Sequence, residues 1–382
     1  MKNSLFLISL FFLSSCSSLG LNIFSSNDDE NSTEPKKLIP INEKVLVKEN
    51  WSRKFSGEKP MGNFEVAFSG GTLFFSDSSG NIYSIDAKTG KTNWNKKLEL
   101  LSSGISYGYS TLVVSDNDGV LYALDSDNGN IIWKNELNSE IFSTAAIDAS
   151  HIIVKTSPGD LLSFDRKSGD LIWSYKPKLP SLTIRGSSSP VLDDDTVVAT
   201  FDNGRLGVFQ AQTGLMLWDS AISYVSGTSE LENLIDADSK PLIDERLIIA
   251  SNYQGNLSIF DKSQKRMIWS TPISSFYEPI LLKSLVIVIK DDSSLVSFSK
   301  NTLSMSWEKD DYKNRGLSNG AVYKSYLIIG DAMGYLHVVD PLTGVTIGRK
   351  KISRNGIITI QSRTSDFFVV DDKFNLYSFT LE

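Results

Sequence analysis

The sequence predicts an all-β protein: an eight-bladed β-propeller of four-stranded antiparallel blades, the last blade closed by the N-terminal strand. Three observations predict it. All seven tryptophans (Trp51, Trp94, Trp133, Trp173, Trp218, Trp269 and Trp307) fall at one place in a phrase that recurs every 38 to 51 residues. The phrase strings short β-rich apolar segments between Gly and Asp/Asn turns, as in "TLVVSDNDGVLYALDSDNGNIIWKNEL", residues 111 to 137; such segments read as antiparallel strands. The two chain ends also complement one another. "IITIQSRTSDFFVVDDKFNLYSFTLE" supplies three strands but no Trp strand, and "VLVKENWSRKF" is a Trp strand with nothing before it.

The elements follow in order. "MKNSLFLISLFFLSSC" places Lys2 before an apolar run from Leu5 to Leu13, too short to span a bilayer but suited to a secretory signal. Its end, Leu13-Ser14-Ser15-Cys16, resembles a bacterial lipobox, whose Cys is lipidated and becomes the new N-terminus. Cys16 is the only cysteine of the chain. Ser17 rather than Asp follows it, which by the same resemblance favours export to the outer membrane. Residues 1–15 are thus expected to be a lipoprotein signal peptide and 16–40 the lipidated Cys with a Ser/Asn/Asp-rich flexible tether. The propeller is expected over 41–382. With no second Cys it holds together without disulfides.

Each repeat contains three recognisable strands, and one further short segment such as "SGISYGYS" lies between copies. Four strands at this period make a propeller blade. A ring protects the sheet edges that a linear array would expose. Joining the two ends completes an eighth blade, whereas a seven-bladed ring would leave Trp51 without a sheet. The Trp residues are expected to fill the wedges between neighbouring blades. Counting 40 residues from Trp307 places Ile347 in the Trp slot of blade 7, and blade 6 lacks the turn Gly. Asp86, Asp125, Asp165, Asp261 and Asp340 recur before the turn that leads to the Trp strand. They are expected to accept hydrogen bonds from turn amides.

Composition narrows the function. The chain has 382 residues, 41% hydrophobic and 22% charged, with a formal net charge of −7 and no basic block, so nucleic acid is not an expected partner. The only histidines, His151 and His337, are far apart in sequence and no Cys remains to join them in a zinc site. "SDNDG", residues 115–119, lacks the Glu of a calcium loop and reads as a hairpin turn. Asp193-Asp194-Asp195 reads as a solvated turn of blade 4. No nucleophile elbow or phosphate-binding loop is present. The repeat resembles that of pyrroloquinoline quinone dehydrogenases, also eight-bladed. That family's paired cysteines over the cofactor cannot exist here, and a shared fold does not carry a shared function. No enzyme activity, cofactor or metal is expected.

Two connections exceed the rest, between Trp173 and Trp218 and between Trp218 and Trp269. The first insert is "KLPSLTIRGSSSP", residues 178–190, and the second "SYVSGTSELENLIDADSK", residues 223–240. Both lie between the Trp strand of one blade and the first strand of the next, so they leave one face of the ring as neighbours. Long loops on a rigid scaffold tend to carry function. Ser229-Glu230-Leu231-Glu232 fits a capping box, and Leu231, Leu234 and Ile235 follow at helical spacing. Leu182 and Ile184 beside Arg185 have the composition of a protein-binding hot spot. The alternative reading is that Arg185 pairs with Asp236 or Asp238 as a loop clasp; the two are compatible.

"LTIRGSSSP" and "GTSELENLIDADSKPLI" together resemble the BamB family, lipoprotein subunits of the outer-membrane β-barrel assembly machinery. The resemblance implies a monomeric, non-catalytic scaffold, lipid-anchored at the periplasmic face of the outer membrane. It would bind the periplasmic POTRA domains of the central subunit BamA and contact other subunits. It also implies that Leu182, Ile184, Arg185, Asp236 and Asp238 make the BamA contact, with Ile184 where Leu is usual. The competing expectation is a lipid-anchored propeller that binds cell wall or a small ligand in its central channel. It requires polar or aromatic residues converging from the innermost strands.

Overall fold

The computed structural model describes residues 33–59, 62–178, 188–223 and 239–382. Every regular element among them is a strand, and the strands make eight four-stranded antiparallel sheets. Blades 1 to 7 are continuous in sequence: Ala67–Lys97, Ser106–Glu136, Ala146–Tyr175, Val191–Ala221, Leu242–Pro272, Ile280–Lys309 and Ala321–Lys351. Blade 8 takes three strands from Ile357–Leu381 and its outermost from Val47–Arg53, so the N-terminal strand closes the ring. The middle strands of every blade are almost wholly buried, as in Leu285–Ile289 and Phe367–Asp371. Continuous apolar runs such as "LVIVI" suit strands packed on both faces between neighbouring blades.

The Trp strands explain how blades adhere. In each of the seven Trp-bearing blades the pairing slips at the residue before the Trp, Asn93 in blade 1 for example, where Ser84 faces Trp94 but Ile85 faces Thr92. Such a bulge re-aims the next side chain. The indole then reaches the following blade. Trp51, Trp94, Trp133, Trp173 and Trp307 donate Nε1–H to the carbonyls of Ala87, Ser126, Arg166, Ala211 and Pro341 at 2.7–3.1 Å. All five carbonyls lie in the turn before the next blade's Trp strand. The same five rings lie against Gly90, Gly129, Gly169, Gly214 and Gly344, where a Cβ would sit within 2.6–2.8 Å of a Trp atom. These glycines also have φ between +69° and +80°, which an L side chain enters at a cost of about 1 kcal/mol or more.

Two seams use another clasp. Blades 5 and 6 carry Lys265 and Leu303 at the turn-glycine position, with φ of 53° and 57°. Among the described residues, neither Trp218 nor Trp269 donates to the turn it faces. Instead Lys262 pairs with Asp193 across the seam of blades 4 and 5, and Lys300 with Asp244 across that of blades 5 and 6, each at 2.7 Å. Both aspartates end the first strand of the preceding blade, and both lysines follow the turn's first residue. An ion pair thus bridges each of these two seams.

The remaining seam corrects the sequence expectation for blade 7. Val338 faces Gly348 and Val339 faces Thr346, so Ile347 is the bulge residue and Gly348 stands in the Trp register. A Cβ on Gly348 would lie 2.5 Å from the Val45 carbonyl. The N-terminal segment occupies the space instead. Lys44 and Val45 donate their N–H groups to the Ile347 carbonyl, and Val45 and Val47 bury against Ile347. Blade 8 has no turn before its Trp strand, because the chain ends stand there, so an indole would find no carbonyl to clasp. Residues 35–40, assigned to the tether by composition, lie along blade 7. Lys36 N–H donates to Lys313 O, Arg315 holds the Lys36 carbonyl at 2.9 Å and Arg349 the Ile39 carbonyl at 2.7 Å.

Candidate partner-binding face

The two lengthened connections leave blade 3 after Tyr175 and blade 4 after Ala221, and enter the first strands of blades 4 and 5. Leu182, Ile184, Arg185, Asp236 and Asp238, with the capping box and its following apolars, lie outside the described residues, as does Cys16. Their roots do not. Antiparallel blades send every such connection out on one face, so the roots of both loops share it.

One row of hydrogen bonds ties those roots together. Buried Lys155 of blade 3 donates through Nζ to Ser188 Oγ and, at 3.1 Å, to the Thr200 carbonyl; Ser188 Oγ also donates to that carbonyl. Thr200 Oγ1 donates to the Ser239 carbonyl at 3.2 Å. Ser239 Oγ in turn donates to the Tyr277 carbonyl of blade 6 at 2.8 Å, and Ser251 Oγ bonds to Ser239 Oγ. The last residue before the second loop is fixed as well: Asn256 N–H donates to Ser223 Oγ at 2.8 Å. Blades 3 to 6 therefore hold the first residues after both loops by buried hydroxyl groups, each satisfied by a neighbour.

Beside the roots the first strands open into the central channel. Glu65, Thr144, Ser189, Lys240, Glu278 and Asn319 share one register, four residues before the end of each first strand or its turn. A cavity of about 250 Å³ at the channel mouth is lined by five of these six. Gly62-Asn63 narrows it from one side: Asn63 N–H donates to the Phe142 carbonyl of blade 3 and its own carbonyl accepts from Gly104. Lys240 Nζ lies 3.9 Å from Glu278 Oε2, and their side chains are 33% and 38% exposed. The channel walls desolvate Glu278 and push its carboxyl up to about 7; Lys240 opposes this, and Glu65 adds to it. Burial disfavours the Lys240 charge, but Glu278 and Glu65 outweigh it and hold the ammonium above its ordinary range. On the rim, Phe276 stacks on Tyr253 at 4.4 Å and 16° and meets Tyr277 edge-on.

The expected turn aspartates are turn acceptors. Asp86 Oδ1 accepts from Thr89 N–H at 2.8 Å and Asp165 Oδ1 from Ser168 N–H at 2.7 Å; Asp125, Asp261 and Asp340 act alike. In "SDNDG" Asp116 Oδ1 accepts from Asp118 and Val120 N–H groups. His151 pairs with Asp148 at 2.9 Å. His337 is wholly buried against Asp331 at 3.1 Å, and burial lowers its pKa although Asp331 opposes this. Among the described residues no three His, Cys, Asp or Glu side chains stand together as a metal site. The channel-mouth residues escaped sequence reasoning. Their signal was Ser189-Pro190, Lys240-Pro241 and Glu278-Pro279, one polar residue before proline in three successive blades.

Comparison with known proteins agrees with this architecture. A family model described as outer membrane protein assembly factor BamB matches residues 78–309. The protein of that name from Yersinia pestis is 25% identical over 391 residues, covering 98% of this chain and 97% of its own. That from Vibrio cholerae is 31% identical over 303 residues, 78% of each chain. The crystal structure of BamB from Moraxella catarrhalis superposes with a TM-score of 0.81 at 24% identity, over 87% of this chain and 99% of that one, which shows a shared fold. The chain belongs to the family of the outer membrane protein assembly factor BamB.

Proposed function

We propose that the protein is a non-catalytic scaffold of outer-membrane protein assembly, held at the periplasmic face of the outer membrane through lipidated Cys16. Its docking surface is formed by the two loops, with Leu182, Ile184 and Arg185 on the first and Asp236 and Asp238 on the second, and its partner is the POTRA region of BamA. The relatives support the assembly role, since they are named as assembly factors rather than as enzymes. One observation carries the choice of face: both long connections spring from adjacent blades, and their ends are fastened by a single hydrogen-bonded row from Lys155 to Tyr277. A rigid base under two long loops limits the ordering cost of binding.

Binding of the chain from residue 33 onward to isolated POTRA domains of the same organism tests the reading. Arg185→Glu is expected to weaken binding by about 2 kcal/mol or more, as for a hot-spot residue, with the fold unchanged. Equal binding by the variant would move the docking surface elsewhere on the ring. Absence of binding by the folded wild-type chain would overturn the assignment of partner.

A further inference from the structure

The channel mouth is short of positive charge. Its lining contributes two carboxylates, Glu65 and Glu278, against the single ammonium of Lys240. The carboxylates come from blades 1 and 6, on separate parts of the wall. Glu65 is held in place by Asn63, whose Nδ2 donates to it at 2.9 Å. Glu278 is not so held. Its nearest cation is 3.9 Å away, beyond hydrogen-bond length, and among the described residues no group donates a hydrogen bond to it. With its side chain 38% exposed, this carboxylate is open to a donor from outside the chain. The same cavity has an aromatic side, since Phe276 is 38% exposed and braced from behind by Tyr253.

We propose that the channel mouth is a receptor for one basic side chain, arginine or lysine, borne on a polypeptide docked over this face and held between Glu65 and Glu278 with Phe276 as its wall. Two carboxylates suit a cation and repel an anion. A guanidinium has forked donors for a carboxylate and a flat face for an aromatic ring. The cavity of about 250 Å³ takes one side chain, not a folded segment. The proposal rests on the docking reading only for which polypeptide bears that side chain. The other titratable group on the wall is Tyr277, whose hydroxyl donates to the Leu317 carbonyl and whose pKa burial raises, so it stays neutral.

The test uses the chain from residue 33 onward and a small probe, N-acetyl-arginine amide, with N-acetyl-glutamine amide as the uncharged control and spermidine as a free polyamine. Binding is read from the carboxyl carbon resonances of Glu65 and Glu278. The arginine probe is expected to bind, to lower the Glu278 midpoint, and to bind about tenfold more tightly at pH 8 than at pH 6, as the ionised fraction of a carboxylate titrating near 7 requires. Glu278→Gln is expected to abolish that pH dependence while leaving the melting temperature within a few degrees. Equal binding of the glutamine probe, or arginine binding indifferent to both Glu278→Gln and Glu65→Gln, overturns the proposal. Spermidine binding more tightly than the arginine probe overturns the assignment to a polypeptide. Failure of the POTRA experiment beside success of this one would leave the receptor standing and remove only its proposed partner.

Discussion

The carbonyl oxygen of Val45 stands 2.5 Å from the point where a side chain on Gly348 would begin. Gly348 holds the register that tryptophan holds in the other seven blades, and the incoming N-terminal segment has taken the volume of that side chain. The ring therefore has eight seams and seven tryptophans for a physical reason. At the seam where the chain begins and ends there is no turn to clasp, and the backbone packs there instead.

Gly348→Ala tests this relationship. The added methyl group must displace backbone rather than a side-chain tip, and overpacking of this kind costs about 1–3 kcal/mol. Chemical denaturation should show that loss. Limited proteolysis should show new cleavage within residues 35–46, while Gly71→Ala, which meets open space, should change neither.

The two seams without a turn glycine make opposite predictions from the other five. Lys265 sits at φ 53°, so Lys265→Gly should raise stability by about 1 kcal/mol through relief of backbone strain. Gly214→Ala should lower it, because the new Cβ would lie 2.6 Å from the Trp173 ring. Removing the substitute clasp with Asp193→Asn should cost up to about 1 kcal/mol, since its pair with Lys262 is partly exposed and such pairs are weak. Denaturant midpoints at constant slope would check all three.

Arg315 is 4% exposed and pairs at 2.6 Å with Asp331, which is wholly buried. Arg315→Met would strand that carboxylate, at a cost of about 3–5 kcal/mol. Burial alone would raise the Asp331 pKa, but hydrogen bonds from His337, Tyr335 and Arg315 overcome it and hold the carboxyl below its ordinary 3.8. Its stabilisation is therefore complete above the ordinary carboxylate value and lost only as pH falls below 3.8, through the lowered folded-state value. The gap between wild type and variant should be wide at pH 7 and close only in acid below 3.8.

Glu278 has the opposite sign. Its folded-state pKa of about 7 exceeds the ordinary 4.5, so the folded chain binds the proton more tightly than the unfolded chain does. This group's contribution weakens folding as pH rises from the ordinary carboxylate range to neutrality. Carbon NMR of the carboxyl should place its midpoint near 7. Glu65→Gln should move that midpoint down, and Lys240→Met should move it up.

The blade count, the closure by Val47–Arg53 and the turn aspartates were legible because each rests on residues that repeat with the ring. Gly348 was misread as Ile347 because spacing counts residues and cannot see the bulge that shifts the register by one. The Lys262–Asp193 and Lys300–Asp244 clasps were illegible for a different reason. They join residues from different positions of the repeat, on adjacent blades, and only the ring brings them together. The channel-mouth charges stayed hidden because the first strands are short, two or three residues in most blades, and too brief for alternation to declare an inward face. The loop residues are legible only through resemblance, as irregular loops carry no period.

Residues 35–46 give the ring a particular response to force. A pull on the chain ahead of Pro35 reaches the propeller first through the Lys36 and Ile39 carbonyls on Arg315 and Arg349, then through Lys44 and Val45 on Ile347. These contacts stand in series ahead of the closing strand. Tension applied at the N-terminus is therefore expected to load this strap, a fuse before the latch, ahead of the pairing of Val47–Arg53.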